Sequence, residues 1–254
     1  MRLADRPKLI ASGENLYRRV ERDAASHWTV ALSDPAAVYG ERITSVGEVV
    51  LRRWDPSRSK LAAALSNGWD GPVPNAGQTW LYLGAATGTT ASHVADLVGR
   101  DGFVFAVEKS VRPFARLLAL AERYPNLGPV LADAREPLRY LPLVPPVDGI
   151  YLDVAQPDQA EIALANARWF LRPAGAVLVA LKTSSMGRGR NAREHLADAV
   201  GRLEPALELD TPVPLEPFHR RHFLLAGRPT RALYGTPVTP GRTSKPGPRV
   251  ARRR

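Results

Sequence analysis

From Thr79 onward the sequence alternates short apolar runs with longer amphipathic ones, and this order restricts the fold more than any other feature. TWLYLG (79–84), FVFAVE (103–108), PVLAD (129–133), VDGIYLD (147–153) and GAVLVALK (175–182) read as strands. Segments 89–99, 111–124, 158–171 and 191–203 read as helices, three of them opening near Thr90, Ser110 and Asp158. Strands apolar along their whole length belong to a sheet covered on both faces, and helical crossovers make neighbouring strands parallel. Runs 206–211 and 222–227 are expected to complete one edge. The predicted fold class is a doubly wound α/β domain.

Residues 1–75 differ. Short β-type stretches at 28–32, 37–39, 42–44 and 48–53 alternate with turn residues, and a helix at 58–66 precedes the Gly/Pro/Asn-rich linker NGWDGPVPNAG. The predicted organisation is a small N-terminal β subdomain plus linker (1–75), the α/β domain (76–228) and a basic tail (229–254).

Charge supports that last division. Of the formal +10, eight charges come from arginines and one lysine between Arg228 and the C-terminus, where no acidic residue occurs. Five prolines and three glycines in the same stretch predict disorder, and clustered arginines there suit a nucleic-acid backbone. The remaining body carries only +2. The chain has no cysteine, which excludes disulfides, thiolate metal sites and a cysteine nucleophile, and no metal centre is expected. No apolar run nears the ~18 residues of a membrane span, and the N-terminus lacks the apolar core of a signal peptide. The expectation is a soluble, cytoplasmic protein, nucleolar in a eukaryote, with no membrane partner.

In an open α/β sheet, ligands sit beyond the carboxyl ends of the strands. The first such loop is Gly84-Ala85-Ala86-Thr87-Gly88-Thr89-Thr90. Small residues admit a ligand close to the backbone, and the helix start offers unpaired N–H groups. Alone, the loop reads equally well as a structural turn. Its G-x-x-x-G spacing is not that of a dinucleotide fingerprint, and no P-loop is present. Glu108, Asp133 and Asp153 then fall at the ends of three successive strands. Glu108 suits the ribose hydroxyls of a nucleoside and Asp133 an adenine amine. Three acids without a cationic clamp favour S-adenosylmethionine over NAD or ATP.

YLGAATGTTASHVADLVG, FAVEKS, LADAR, DVAQPDQAEI, RSKLAAAL, VYGERI and LEPFHRRH together resemble the corresponding segments of the fibrillarin family. The resemblance runs from about Val30 to Gly227 and leaves out the basic tail. It implies a class I, Rossmann-like, S-adenosylmethionine-dependent methyltransferase fold, and methyl transfer to RNA ribose 2′-hydroxyls in pre-rRNA and tRNA. The implied setting is a box C/D guide ribonucleoprotein, with guide RNA, a Nop-type scaffold protein and a kink-turn-binding ribosomal-type protein as partners. A stand-alone RNA methyltransferase and a catalytically silent subunit are the alternatives.

Residue by residue, the resemblance implies a catalytic set of Lys60, Asp153, Lys182 and His222. Lys182 activates the hydroxyl, Asp153 orients it and holds the lysine and the methyl donor, Lys60 tunes Lys182, and His222 orients substrate or relays the proton. The donor site it implies comprises Gly84, Ala85, Thr89, Thr90, Glu108, Lys109, Asp133, Ala134, Asp153 and Gln156. Asp158 closes the pocket, braces the loop or caps a helix, and His93 supports the helix after the Gly loop. Lys109 departs from the family, which has an apolar residue there to cover the adenine, so weaker donor binding is expected. Arg188, Arg190 and Arg193 are candidates for the RNA entrance.

Overall fold

The computed structural model describes residues 9–21, 24–32, 37–187 and 189–235. Its N-terminal part is an antiparallel sheet of β1 (Leu9–Ala11), β2 (Leu16–Glu21), β3 (Ala24–Val30), β4 (Ile43–Val46) and β5 (Val49–Trp54), ordered β1–β2–β3–β5–β4. Strands β1 and β2 are absent from the sequence expectation, because LYRRVE carries too many charges to stand out as a strand. The expected strand at 37–39 is instead a bend. There the Glu41 carboxylate accepts the N–H groups of Val38 and Tyr39, which takes those donors away from any ladder. Helix α1 (Lys60–Ser66) follows, with Ser59 as N-cap accepting from the N–H of Ala62.

The second sheet is built from β6 (Thr79–Leu83), β7 (Phe103–Glu108), β8 (Leu127–Leu131), β9 (Val147–Leu152), β10 (Leu171–Lys182), β11 (Leu207–Leu209), β12 (Val213–Pro214) and β13 (His222–Pro229). Its order is β11–β13–β10–β9–β6–β7–β8, with β12 beside β13. The five strands from β10 to β8 are parallel, and β13 runs antiparallel to β10. Side chains alternate between two apolar clusters: Trp80 and Tyr82 face one, Leu81 and Leu83 the other. Helices α2 (Thr89–Val98) and α3 (Val111–Ala121) cover the first face; α4 (Gln159–Phe170) and α5 (Ala192–Leu203) cover the second. Among the described residues no helix is long and apolar enough to cross a membrane.

One apolar cluster runs through both sheets, joining Leu16 and Trp54 to Trp80, Val94 and Leu117. Beside it lies a buried polar knot. Arg52, 1% exposed, bonds Glu41, Asp96, Ser92 and the Tyr124 hydroxyl. Thr29 bridges the same Asp96 to Nδ1 of His93, while Tyr39 takes His93 Nε2 and Trp54 stacks on its ring. His93 thus does support α2, by anchoring it to the small sheet.

Residues 229–235, which composition assigns to the tail, are ordered. β13 extends to Pro229, and a short helix α6 (Arg231–Tyr234) buries Leu233 and bonds the Tyr234 hydroxyl to Leu171 O. Burial of Leu233 and the Tyr234 hydrogen bond outweigh the local charge. The rest of the expected disordered tail, 236–254, lies outside the described residues, as does Arg188.

Candidate functional site

The strand order reverses between β6 and β9, and both strands end at one crevice. Gly84 leaves β6 with φ 84°, and a Cβ there would stand 2.5 Å from the Asp153 carbonyl oxygen and 2.8 Å from Val154. Only glycine allows the two loops to approach this closely. Ala86 is also left-handed (φ 49°), and Gly88 begins α2 at φ 89° with its Cα against Leu117 and Leu120.

Glu108 ends β7 and is 8% exposed. Its two oxygens accept the N–H groups of Ala86 (2.9 Å) and Ser110 (2.7 Å), so it braces the Gly loop against the turn into α3. An ionised carboxylate has lone pairs left for ribose hydroxyls. β8 starts and stops earlier than the sequence predicts. Asp133 therefore sits in the turn beyond the strand, with Oδ1 accepting the N–H of Arg135 at 3.0 Å. Lys109 Nζ lies 3.5 Å from Asp133 Oδ2, an ion pair across the pocket mouth.

Together with Ala134, Asp153 and Gln156, these residues line one cleft whose floor is Val107, Ala132, Val154 and Ile162. Asp158 stands at the N-cap position of α4 without capping it. Its carboxylate is held by Arg135 through two bonds of 2.7 and 2.6 Å, and Arg135 also reaches Gln156 Oε1 at 3.0 Å. That arrangement supports the loop-bracing role over the capping role. Arg135 is the strap of this rim, and sequence reasoning missed it although it stands inside LADAR.

A second cleft shares Gly84, Ala86 and Asp153 with the first and gathers all four expected catalytic side chains, with Ala85, Thr89 and Thr90 beside them. Lys60 Nζ bonds both Asp153 oxygens, at 2.7 and 2.9 Å. The lysine that Asp153 holds is therefore Lys60. Lys182 Nζ has no ion-pair partner among the described residues. Its backbone is clamped by Gln159, fully buried, which accepts from Lys182 N–H (2.9 Å) and donates to its carbonyl (3.2 Å). Gln159 was legible only as part of DVAQPDQ, without a role.

His222 faces Lys182 across the β10–β13 ladder. Its Nδ1 meets the Arg220 carbonyl at 2.8 Å and must donate there, which leaves Nε2 as an acceptor. Burial, with Lys60 nearby, holds His222 below the usual histidine range against the opposing pull of that carbonyl. His219, the competing histidine, instead bonds Pro56 O at 2.9 Å and is likewise lowered, first by burial and then by Lys60. Tyr82, another residue the sequence did not flag, closes the cleft floor and bonds Thr90; burial and Asp153 push its hydroxyl well above the ordinary range. Arg190 pairs with Asp198 and lines a separate depression beside α5, and neither it nor Arg193 lines the catalytic cleft.

A parallel sheet of this order with one antiparallel strand, carrying an acid-rimmed cleft at its switch point, defines the class I, Rossmann-like methyltransferase fold. The fibrillarin family profile matches residues 10–231. The chain belongs to the fibrillarin family.

A fibrillarin-like rRNA/tRNA 2′-O-methyltransferase of Sulfolobus acidocaldarius is 39% identical over 214 residues, covering 84% of this chain and 93% of that one. The rRNA 2′-O-methyltransferase fibrillarin of Eremothecium gossypii is 38% identical over 226 residues; the match covers 89% of this chain and 66% of that longer one. The solved fibrillarin of Methanococcus jannaschii superposes with a TM-score of 0.85 at 35% identity, covering 88% of this chain and 98% of that one. Aeropyrum pernix fibrillarin, solved with natively bound S-adenosyl-L-methionine, gives 0.77 at 35% identity, covering 87% and 100%. A fibrillarin solved in complex with Nop5p gives 0.75 at 35%, covering 85% and 98%.

Proposed function

We propose that this protein transfers a methyl group from S-adenosylmethionine to the 2′-hydroxyl of RNA ribose, as the catalytic subunit of a guide ribonucleoprotein acting on pre-rRNA and tRNA. The observation that carries this is the junction at Gly84 and Asp153, where an acid-rimmed, apolar-floored cleft opens into a pocket holding two lysines, an aspartate and a histidine.

The first cleft fits the donor. Its floor suits an adenine, Glu108 and Asp133 suit ribose and an exocyclic amine, and Asp153 suits a cationic sulfonium. Lys109 is the one cation lining it among the described residues, and Asp133 already engages it, so a phosphate would find no clamp. When bound, the donor contributes an electrophilic methyl group on a neutral leaving sulfide.

The chain's own residues then align the ribose and take its proton. Lys60, locked to both oxygens of Asp153, holds that carboxylate fixed beside the donor. Lys182, free of an ion pair among the described residues and clamped through its backbone, is the group that activates the hydroxyl. His222, neutral near pH 7 because burial lowers it, carries an acceptor Nε2 through which the proton leaves. Positioning contributes most of the acceleration, on the order of 7–11 kcal/mol in well-aligned systems.

The modest body charge supports guide dependence, since base pairing selects the nucleotide and partners hold most of the RNA. The match to a fibrillarin solved with Nop5p supports a Nop-type scaffold; the kink-turn protein and guide RNA follow from the family resemblance. The test incubates protein, labelled donor and RNA with and without scaffold, kink-turn protein and guide, and maps 2′-O-methyl positions. Guide-specified methylation only with partners supports the reading, activity of the chain alone makes it a stand-alone enzyme, and none in either case refutes methyl transfer.

A further inference from the structure

The catalytic cleft does not end at the Gly loop. Arg58, Thr87 and Thr89 line it and also line a groove that runs outward between the bend at Tyr39 and helix α3. On the far wall of that groove stand Arg116 and Arg123. Arg116 lies on α3, and Arg123 lies in the turn just after that helix ends at Ala121. Three arginines and no carboxylate line the groove among the described residues. The depression beside α5, in contrast, sets Asp158, Glu161 and Asp198 against its arginines.

The guanidinium of Arg58 sits 5.5 Å over the Tyr39 ring. Stacking uses the face of the guanidinium and leaves its in-plane N–H fork for another acceptor. Each ribose that reaches Asp153 and Lys182 brings a flanking strand that must leave the cleft. On the other side of Gly84 lies the acid-rimmed donor cleft, strapped by Arg135. The groove offers that strand a wall of arginines.

We infer that this groove carries the sugar–phosphate backbone flanking the methylated nucleotide, with phosphates taken by Arg58, Arg116 and Arg123. The inference rests on the RNA reading above and adds the path. It also places RNA contact on the folded body rather than in the C-terminal segment alone.

The test titrates the full-length chain with a fluorescein-labelled single-stranded RNA over a salt series. In Arg116→Ala/Arg123→Ala, the slope of log affinity against log salt should fall by about 0.7–0.9 for each arginine removed, with donor affinity unchanged. Arg116→Glu, a change at an exposed position, should weaken binding further, and Arg116→Lys/Arg123→Lys should keep most of the slope. Arg100→Ala, at the opposite ends of the strands, is the control for loss of any surface charge. A wild-type slope in both the double variant and Arg116→Glu, or an equal loss in Arg100→Ala, overturns the inference. Methyl transfer by the wild type is measured alongside. If the wild type methylates no RNA the RNA reading falls, whereas wild-type methylation with an unchanged RNA KM in the double variant removes the groove alone.

Discussion

Lys60 Nζ touches both carboxylate oxygens of Asp153, at 2.7 and 2.9 Å, although the two residues come from different sheets' connecting segments. The pair occupies Asp153 from one side and leaves Lys182 on the other with a free amine among the described residues. The two lysines therefore take unequal roles. Lys182→Ala should reduce methyl transfer by about 10²–10⁴-fold with donor affinity retained, in single-turnover assays with saturating RNA. Lys60→Ala should weaken both, because Asp153 loses its brace. Intact turnover in Lys182→Ala would remove the assignment.

At Gly84 a methyl group has nowhere to go. Gly84→Ala places a Cβ 2.5 Å from the Asp153 carbonyl in a left-handed backbone, so the two loops must separate. The cost in stability should be about 1–3 kcal/mol, with donor binding lost in calorimetric titration. Gly40→Ala, equally left-handed but in open space, should leave donor binding intact.

Lys109 covers the donor cleft with an amine tied to Asp133 instead of a ring. Lys109→Phe should free Asp133 and add aromatic stacking of about 0.5–1.5 kcal/mol. Donor affinity should rise by about threefold to tenfold, with less dependence on salt. Unchanged affinity would show that the lysine stem already covers the adenine.

Removing Arg52 strands two buried carboxylates. Arg52→Met should destabilise the fold by about 3–5 kcal/mol, and part of that loss should return in Arg52→Met/Glu41→Gln, read from urea midpoints. An Arg52→Met chain as stable as wild type would mean that water reaches Glu41 and Asp96.

His93 is buried, and burial, then Arg52, holds its pKa well below 6.5. The folded chain keeps it neutral while the unfolded chain protonates it near 6.5. Its contribution is therefore complete above that pH and declines as pH falls. The stability advantage of wild type over His93→Gln should shrink by about 1.4 kcal/mol per pH unit below ~6.5. A difference constant between pH 7 and pH 5 would refute it.

The strands from β6 to β10 and the helices between them were legible because burial on both faces leaves continuous apolar runs. The acids at their ends were legible for a related reason: a charge closing such a run has few structural uses. The small sheet was read poorly. LYRRVE lacks the apolar run of a buried strand, and AVY reads as a strand although Glu41 claims the amides of Val38 and Tyr39. The knot around Arg52 left no signal either, since nothing in VYGERI, LRRW and SHVADL reveals that Glu41, Arg52 and Asp96 from distant segments meet in one buried cluster. Which lysine Asp153 would hold was likewise a matter of three dimensions.

That buried knot also fixes how the catalytic pocket comes into being. Arg58 and Lys60 hang from the end of the small sheet, while Asp153, Lys182 and His222 project from the large one. Arg52, Asp96 and His93 lock the seam between them, and a seam of this kind does not act as a hinge. Neither sheet holds a competent half-site by itself. In refolding, the return of methyl transfer would time the moment at which the two sheets join.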